Sequence, residues 1–257
     1  MRYELLGPLR VVTDEGDVAS IGAQKIETLL EVLLIRADQV VGTEQLMGEI
    51  WSERVPRRAT AGLHVYVSQL RKFLNRCGRP TSPVVTRPPG YLLRAGDDEL
   101  DYREFVRLVD WGREHSREQR HDQASRFFEE ALALWRGPIP CDLSTGPILE
   151  GFMTWLAEMH LECTEMLIDA QLELGQHREV VGRLYSLVAE HPLREAFYRQ
   201  LMLALYRSDR QADALEVYRS VRRTLNDELG LEPCRALQEL HRAILVADYA
   251  LEHEATV

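Results

Sequence analysis

An amphipathic segment within the first hundred residues constrains the fold of this chain most strongly. Its apolar residues recur at spacings of three and four, which predicts an α-helix from about residue 58 to residue 76 with one buried stripe. The stripe consists of Leu63, Val67, Leu70 and Leu74. Gly78 follows at the position where a glycine commonly ends a helix. The segment is therefore predicted to bury this stripe in a core.

Strands, two further helices and a hairpin are predicted on either side of this helix. Residues 1–22 alternate weakly between apolar and polar side chains and contain turn residues, which predicts short strands. Amphipathic helices are predicted over residues 24–37 and 44–51, with Thr43 as the cap of the second. Residues 84–93, "VVTRPPGYLL", read as a hairpin that turns at its Pro-Pro-Gly sequence. Strands, three helices and a hairpin within about 95 residues are the layout of a winged helix-turn-helix.

Charge is distributed unevenly along the chain. Residues 54–94 hold nine Arg or Lys and no Asp or Glu, although the whole chain carries a net charge of −10. Residues 1–96 sum to +3, from 13 basic and 10 acidic side chains, and residues 97–257 sum to −13, from 18 and 31. This split favours two domains with different partners, of which only the first suits a polyanion.

The face of the third helix opposite the apolar stripe is suited to a DNA groove. It consists of Arg58, Ala61, Val65, Ser68, Gln69, Lys72 and Arg76. Ala61 permits close approach, Val65 can touch a thymine methyl, and Gln69 can pair with adenine or another base edge. The cationic side chains at both ends of this face, Arg58 among them, can hold phosphates. Carboxylates are absent because each would face a line of phosphates.

The predicted hairpin adds cations to the same end of the domain. Thr86 and Arg87 precede its turn, and Arg94 lies on the return strand. An Arg at such a wing tip can enter a minor groove, above all a narrow A·T-rich one. A basic amphipathic helix alone is commonly just a solvated face, but its combination with a helix pair and a basic hairpin favours DNA binding.

From residue 97 onward the residue pattern predicts helices throughout. The loops at residues 175–180 and 209–214 align at an offset of 34, the period of tetratricopeptide helix pairs, although an antiparallel bundle of similar size could give the same pattern. The fold class predicted is therefore mainly α. A winged-helix domain over residues 1–95 precedes an all-helical tetratricopeptide-like domain over residues 96–250 and a flexible tail over residues 251–257.

Nothing in the sequence favours catalysis or a metal site. The eight His residues are dispersed, the four Cys residues lack metal-ligand spacing, and Ser68 and Ser144 lack a nucleophile motif. The cysteines are expected to be reduced, and the four tryptophans to pack in the core. No signal peptide or membrane-length apolar run is seen. We expect a cytoplasmic, nucleoid-associated protein that is not an enzyme and needs neither metal nor membrane.

Several motifs carry a family resemblance. "LHVYVSQLRKFL" with "TRPPGYLLR" resembles the recognition helix and wing of OmpR-type regulators. "WRGP", "HPLRE" and "DELGLEP" are similar to motifs of the bacterial transcriptional activator domain. Together they resemble the short form of the Streptomyces antibiotic regulatory protein family. We expect neither a receiver domain before the strands nor a Walker A loop after the helical domain, and therefore no cofactor.

The resemblance implies a pathway-specific activator. Such a protein binds tandem direct repeats of double-stranded DNA upstream of secondary-metabolite (antibiotic) biosynthetic genes, and it recruits the RNA polymerase holoenzyme. The family's groove-reading residues fall on Val65, Ser68, Gln69, Arg71 and Lys72, and its wing contact on Arg87. Arg71 lies at the flank of the helical wheel, so a phosphate contact is predicted for it. Gln69 stands where related regulators often carry Arg, so the preferred base is expected to differ.

Two further partner contacts are expected. A homodimer, held by the helical domain, would occupy adjacent repeats, and residues 44–57 would contact the polymerase. The alternative is a tetratricopeptide-type adaptor whose winged helix binds protein instead of DNA. A continuous basic stripe across Arg58, Lys72, Arg76 and Arg87 would favour DNA.

Overall fold

The computed structural model describes residues 1–52, 55–78, 81–137 and 146–246. The predicted tail, Cys141, Ser144 and two residues of the predicted polymerase surface, Glu53 and Arg54, lie outside the described residues. The chain divides into two compact units. The first comprises Met1–Leu108 and Glu130–His160, and the second comprises Val109–Glu129 and Leu161–Val257. These bounds differ from the predicted domain bounds, which stay a prediction.

The first unit contains a winged helix-turn-helix, as predicted. Its elements are β1 (Arg2–Glu4), β2 (Arg10–Val12), β3 (Val18–Ala19), α1 (Gln24–Ile35), β4 (Val41–Gly42), α2 (Thr43–Trp51), α3 (Ala59–Arg76), β5 (Val84–Arg87), β6 (Gly90–Leu93) and β7 (Glu99–Leu100). One sheet has the order β3-β2-β1-β7, and the other has the order β4-β6-β5. β1 is antiparallel to β2 and parallel to β7. Neither β4 nor β7 was expected from the residue pattern.

The apolar stripe of α3 lies in the core of this unit. Leu63, Leu70 and Leu74 are fully buried, and Val67 is 2% exposed. α3 packs against α1 and α2, and α1 contributes a second set of fully buried residues: Leu29, Leu30, Val32, Leu33 and Leu34. α3 ends at Arg76, and Gly78 follows with a φ of +96°, as expected of a glycine beyond a helix end. The predicted third helix is confirmed.

The wing is the β5–β6 hairpin. Val84 is opposite Leu93 and Arg87 is opposite Gly90, so the turn consists of Pro88 and Pro89, which are joined by a cis peptide bond. Gly90 belongs to β6 instead of the turn. A Cβ atom at Gly90 would lie 1.8 Å from the carbonyl oxygen of Val41, so the approach of β4 to β6 requires glycine there.

The start of α2 differs from its prediction. Thr43 is the first residue of α2 and not its cap, and Gly42 holds the cap position. The Gln45 side-chain oxygen accepts a hydrogen bond from the Gly42 amide at 3.0 Å. The Thr43 hydroxyl instead donates to the Pro89 carbonyl at 2.9 Å, so it ties α2 to the wing turn. The predicted cap was wrong because this partner lies 46 residues away in sequence.

A buried carboxylate anchors the loop after β1. Asp101 accepts hydrogen bonds from the amides of Leu5 at 2.8 Å and Leu6 at 2.9 Å. Burial raises the pKa of Asp101, and these backbone bonds and Arg136 act in the opposite direction. The Arg136 amide donates to the Leu6 carbonyl at 2.9 Å, and its guanidinium donates to the Pro8 carbonyl at 2.9 Å. The loop is thus held from both sides by residues outside the winged helix.

Glu49 of α2 makes a second contact of the same kind. Glu49 is 2% exposed, and its carboxylate accepts hydrogen bonds from the amides of Ile148 at 2.8 Å and Leu149 at 3.2 Å. These amides belong to the first turn of α6 (Pro147–Glu173), whose unsatisfied N–H groups and dipole favour a negative charge. The inner face of α2 is therefore covered by the start of α6.

The remaining helices follow a repeated pattern. They are α4 (Asp101–Arg117), α5 (His121–Ala133), α6 as given above, α7 (His177–Glu190), α8 (Glu195–Tyr206), α9 (Gln211–Leu229) and α10 (Arg235–Leu245). Gln119, Gly175 and Asp209 each have a positive φ two residues before the next helix begins. In all three loops the following amide donates to the carbonyl five positions earlier, at 2.9–3.0 Å. α7 and α9 begin 34 residues apart, so the predicted repeat is present in the structure.

The core of the second unit repeats with the same period. Fully or nearly buried residues recur at an offset of 34 as the pairs Ile168 and Met202, Leu172 and Tyr206, Val180 and Ala214, and Leu184 and Tyr218. This recurrence is the packing that a stack of helix pairs produces. Within the part of the chain that the structure describes, no helix combines the length and apolar character of a membrane span.

The expectation that all four tryptophans pack in the core is wrong for two of them. Trp111 is 41% exposed and Trp155 is 40% exposed. Trp51 and Trp135 are partly buried and contact other aromatic rings, Tyr66 and Phe105 respectively. The apolar helical pattern placed Trp51, Trp111 and Trp155 on helices, whereas Trp135 lies two residues beyond the end of α5. The pattern did not decide how much of each ring is covered.

One acidic residue of α1 makes the stability of the fold depend on pH. Burial, and secondarily Glu27, raise the pKa of Glu31 from 4.5 to about 7. A carboxyl whose pKa is higher in the folded than in the unfolded state destabilises the fold when it is ionised. The destabilisation is complete above the folded pKa of about 7 and is lost as the pH falls from there through the unfolded pKa of 4.5. Glu31→Gln is expected to raise the free energy of unfolding by about 1–3 kcal/mol at pH 8, and the gain should shrink progressively towards pH 5.

Urea denaturation of both proteins at the two pH values checks this prediction. Glu15→Gln, in an exposed turn, is the control and should change stability little at either pH. An equal gain for Glu31→Gln at pH 8 and at pH 5 would show that ionisation of Glu31 is not the cause.

Candidate nucleic-acid interface

α3 presents one continuous exposed face. All seven residues predicted to lie opposite the apolar stripe are exposed: Arg58, Ala61, Val65, Ser68, Gln69, Lys72 and Arg76. Val65 is 52% exposed, which is high for a branched apolar side chain beside a well-packed core. The centre of this face is small, apolar and amide-bearing, and its ends are cationic. Such a face matches the base edges and phosphates of a major groove.

The cations of this surface are not neutralised within the described part of the chain. Arg58, Lys72, Arg87 and Arg94 have no carboxylate partner there, and Arg76 donates only a long hydrogen bond of 3.4 Å, to the Lys72 carbonyl. Elsewhere in the molecule most Arg residues with a described partner pair with Asp or Glu. The positive charge of this surface is therefore available to an external anion.

Arg71 has a structural role that its position in the sequence did not predict. It is partly buried, its Nε donates to the Val84 carbonyl at 3.0 Å, and its Nη2 donates to the Thr86 hydroxyl at 2.8 Å. These two bonds join α3 to the first strand of the wing. The remaining N–H groups of Arg71 are left for the predicted phosphate contact, which stays a prediction. The position of Arg71 at the flank of the helical wheel was the available signal for the bridge.

The wing carries the other predicted contacts. Thr86, Arg87, Pro88 and Pro89 are all exposed, so Arg87 lies beside the tip. Arg94 is also exposed, and its amide donates to the Pro83 carbonyl at 3.0 Å. Tyr91 is 6% exposed and packs at the base of the wing. Arg71 and Thr86 thus bring the base of the wing next to α3, and Arg87 extends beyond it.

A further cation lies at the end of α2. The ammonium of Lys25 lies 5.3 Å from the centre of the Trp51 ring, which stacks on Tyr66 of α3 at 5.6 Å. A Cβ atom at Gly62 would lie only 3.2 Å from the Trp51 ring, so glycine gives the ring room against α3. No spacing in the sequence pointed to this cluster, because its members come from three separate helices.

Comparison with known proteins places this surface in a known type of domain. The family described as "Transcriptional regulatory protein, C terminal" matches residues 22–93, which contain α3 and the wing. The family described as "Bacterial transcriptional activator domain" matches residues 100–245. The chain is 38% identical to the transcriptional regulatory protein EmbR of Mycobacterium tuberculosis over 95% of its own length and 63% of EmbR.

Two relatives from Streptomyces are similar to nearly the whole of this chain. The chain is 33% identical to the regulatory protein DnrI of Streptomyces peucetius, covering 98% of this chain and 94% of DnrI. It is 36% identical to AfsR of Streptomyces coelicolor, of which it covers 25%.

The structure of M. tuberculosis EmbR in complex with a low-affinity phosphopeptide superposes with a TM-score of 0.88 at 36% identity, over 99% of this chain and 68% of that one.

The fold and the matched domains define a transcriptional regulator with an OmpR-type winged helix. The chain belongs to the Streptomyces antibiotic regulatory protein family, as its motifs predicted. It spans about 63% of the length of EmbR, so the activities of that longer protein are not carried over to it.

The Arg71 bridge makes a prediction about the wing. Thr86→Val removes the hydroxyl that accepts from Arg71, and Arg71→Lys removes the planar donor pair. Each single change is expected to weaken duplex binding about three- to tenfold, because the wing is no longer fixed against α3. The double variant should lose less than the sum of the two, with a coupling of about 1 kcal/mol.

Fluorescence anisotropy with a fixed duplex measures all four affinities. Thr81→Val, an exposed threonine outside the bridge, is the matched control and should bind as the wild type does. Additive losses in the double variant would show that Arg71 and Thr86 act separately.

Proposed function

We propose that this protein is a sequence-specific, DNA-binding activator of transcription. The observation that carries the proposal is the exposed face of α3, where an apolar and amide centre is flanked by cations without carboxylate partners among the described residues. A face built only for solubility has no need to exclude carboxylates over 41 consecutive residues. Binding to a polyanion accounts for that exclusion, and the winged helix supplies the geometry to enter a groove.

Each part of the surface has a separate task in this proposal. Val65, Ser68 and Gln69 read base edges in the major groove. Arg58, Arg71, Lys72 and Arg76 hold phosphates and set the register of α3 on the duplex. The wing contacts the adjacent minor groove through the residues Thr86, Arg87 and Arg94.

The operator is proposed to be a pair of tandem direct repeats upstream of antibiotic biosynthetic genes. The likeness to DnrI over nearly the whole of both chains supports this class of target. A single winged helix makes few base contacts and competes with a genome of non-specific sites. A homodimer joined through the helical domain raises the effective concentration of the second module at the second repeat, so two weak contacts give one specific complex.

Recruitment of RNA polymerase is proposed to use the exposed part of residues 44–57. Glu44 and Arg57 are exposed, and Val55 is 49% exposed. Glu49 and Ile50 are buried, so the contact is restricted to the outer side of α2 and the residues before α3. An apolar residue flanked by charges of both signs is a suitable surface for a transient protein contact.

Anisotropy titrations across a range of salt concentrations test the DNA-binding proposal. One duplex carries the tandem repeats from the protein's own gene neighbourhood, and the other has the same bases scrambled. The expected result is a preference for the repeat of at least about 10³ and a salt slope that implies roughly six or more phosphate contacts. Absence of binding to both duplexes at low salt would favour the alternative, an adaptor whose winged helix binds protein.

Two variants of α3 separate base reading from phosphate binding. Gln69→Ala is expected to lower the affinity for the preferred operator by about 1–3 kcal/mol and to relax the base preference at one position in each repeat. Lys72→Ala should weaken all duplexes alike and reduce the salt slope by about 0.9 for each protomer bound. Affinities for operators varied at single positions distinguish the two effects. Equal losses on all sequences for Gln69→Ala would remove it from the base-reading set.

A further inference from the structure

The second unit has a groove whose chemistry differs from that of the DNA-facing surface. It lies among α7, α8 and α9 and has a volume of about 460 Å³. Tyr185 and Val188 form one wall, Tyr198 and Leu201 the floor, and Glu216 and Val217 the other wall. We call this the α7–α9 groove. It is large enough for a few side chains of a peptide segment and too small for a folded domain.

The floor and one wall of the groove are apolar and well fixed. Leu201 is fully buried and Tyr198 is 6% exposed. The Tyr198 hydroxyl donates to the Val188 carbonyl at 3.4 Å, which joins the floor to the wall. Burial raises the pKa of Tyr198, so its ring stays neutral. Tyr185 is 42% exposed at the edge and offers an aromatic face to whatever enters the groove.

The opposite wall is acidic. Asp213, Glu216, Val217 and Ser220 line it at spacings of three and four, so they share one face of α9. Asp213 pairs with Arg210 at 2.6 Å, and both side chains are nearly half exposed. Glu216 is exposed and has no ion-pair partner among the described residues. A cation in the groove would thus meet the Glu216 carboxylate on one side and the Tyr185 ring on the other.

We propose that the α7–α9 groove binds a basic, amphipathic helical segment of a partner protein. An apolar side chain of the segment packs on Tyr198 and Leu201. An Arg or Lys one turn away pairs with Glu216 and lies against Tyr185, where the aromatic ring adds a cation–π contribution. The surplus of 13 negative charges in residues 97–257 steers such a segment towards this half of the chain and repels acidic ones.

The charge of the groove also excludes the chain's own tail as the occupant. Residues 247–257 carry Asp248, Glu252 and Glu254 and no Arg or Lys. An acidic segment would place like charges beside Glu216 and Asp213, which is unfavourable. The groove is independent of the DNA-binding proposal, since none of its residues belongs to α3 or the wing.

The test uses a pair of helical peptides built from Ala, Leu and Arg, acetylated and amidated, with Leu and Arg on one face. In the second peptide every Arg is replaced by citrulline, which keeps the shape and removes the charge. Binding to the full chain is measured by isothermal titration calorimetry, and the site is located by amide chemical-shift changes. The Arg peptide is expected to bind at least about tenfold more tightly than the citrulline peptide, with shifts centred on α7 to α9.

Two charge reversals on the same helix separate the groove from general charge attraction. Glu216→Lys lies in the groove, and Glu228→Lys is also at an exposed position of α9 but outside the groove. Both change the net charge by the same amount. Glu216→Lys should weaken the Arg peptide at least about tenfold, and Glu228→Lys less than about twofold. Both variants should keep the thermal unfolding and operator binding of the wild type, which shows that they are folded.

Three results would overturn the proposal. Equal losses in Glu216→Lys and Glu228→Lys would show attraction to the net charge alone. Equal binding of the two peptides would show that no cation is recognised. A change in self-association of Glu216→Lys, measured by analytical ultracentrifugation, would show that a second copy of the chain occupies the groove instead.

Discussion

Burial of four residues on one side of α3 is the constraint on which the rest of the first unit depends. Replacing a fully buried Leu by Ala typically costs about 2–5 kcal/mol, and three such Leu residues and Val67 line this stripe. Any rotation of α3 about its axis would expose part of the stripe to water. Packing alone therefore fixes which residues face outward, and the outward set has no role in holding the helix in place. The residues of the exposed face can therefore vary to suit a ligand without loss of packing.

That freedom explains the opposite charges of the two halves of the chain. A cationic surface without carboxylates repels itself, so it is tolerated only where the core supplies the stability. The helical half carries the compensating acidic charge, part of it at exposed positions such as Glu216. DNA binding favours positive charge in the first half of the chain, and solubility is supported by negative charge in the second half. The overall charge of −10 is the sum of these two opposite contributions.

Local periodicity could be predicted from the sequence, and long-range pairing could not. α3, the wing and the 34-residue repeat all follow from spacings within a short window, and the structure has them where they were expected. β7 was missed because its two residues form a strand only beside β1, almost 100 residues earlier. The roles of Thr43 and Arg71 were missed for the same reason, since their partners lie on the wing. The candidate DNA contacts were predicted residue by residue, but the bridge that positions them was not.

The buried carboxylates show how such long-range contacts can be specific. Asp101 and Glu49 each accept two hydrogen bonds from consecutive backbone amides of a distant segment. A carboxylate buried without these donors would be costly, so each one selects a single arrangement of the two segments. Glu49 belongs to α2, which packs directly on α3. A displacement of residues 148–149 would therefore act on α3 through one intervening helix, by moving a carboxyl group that has no other partner among the described residues.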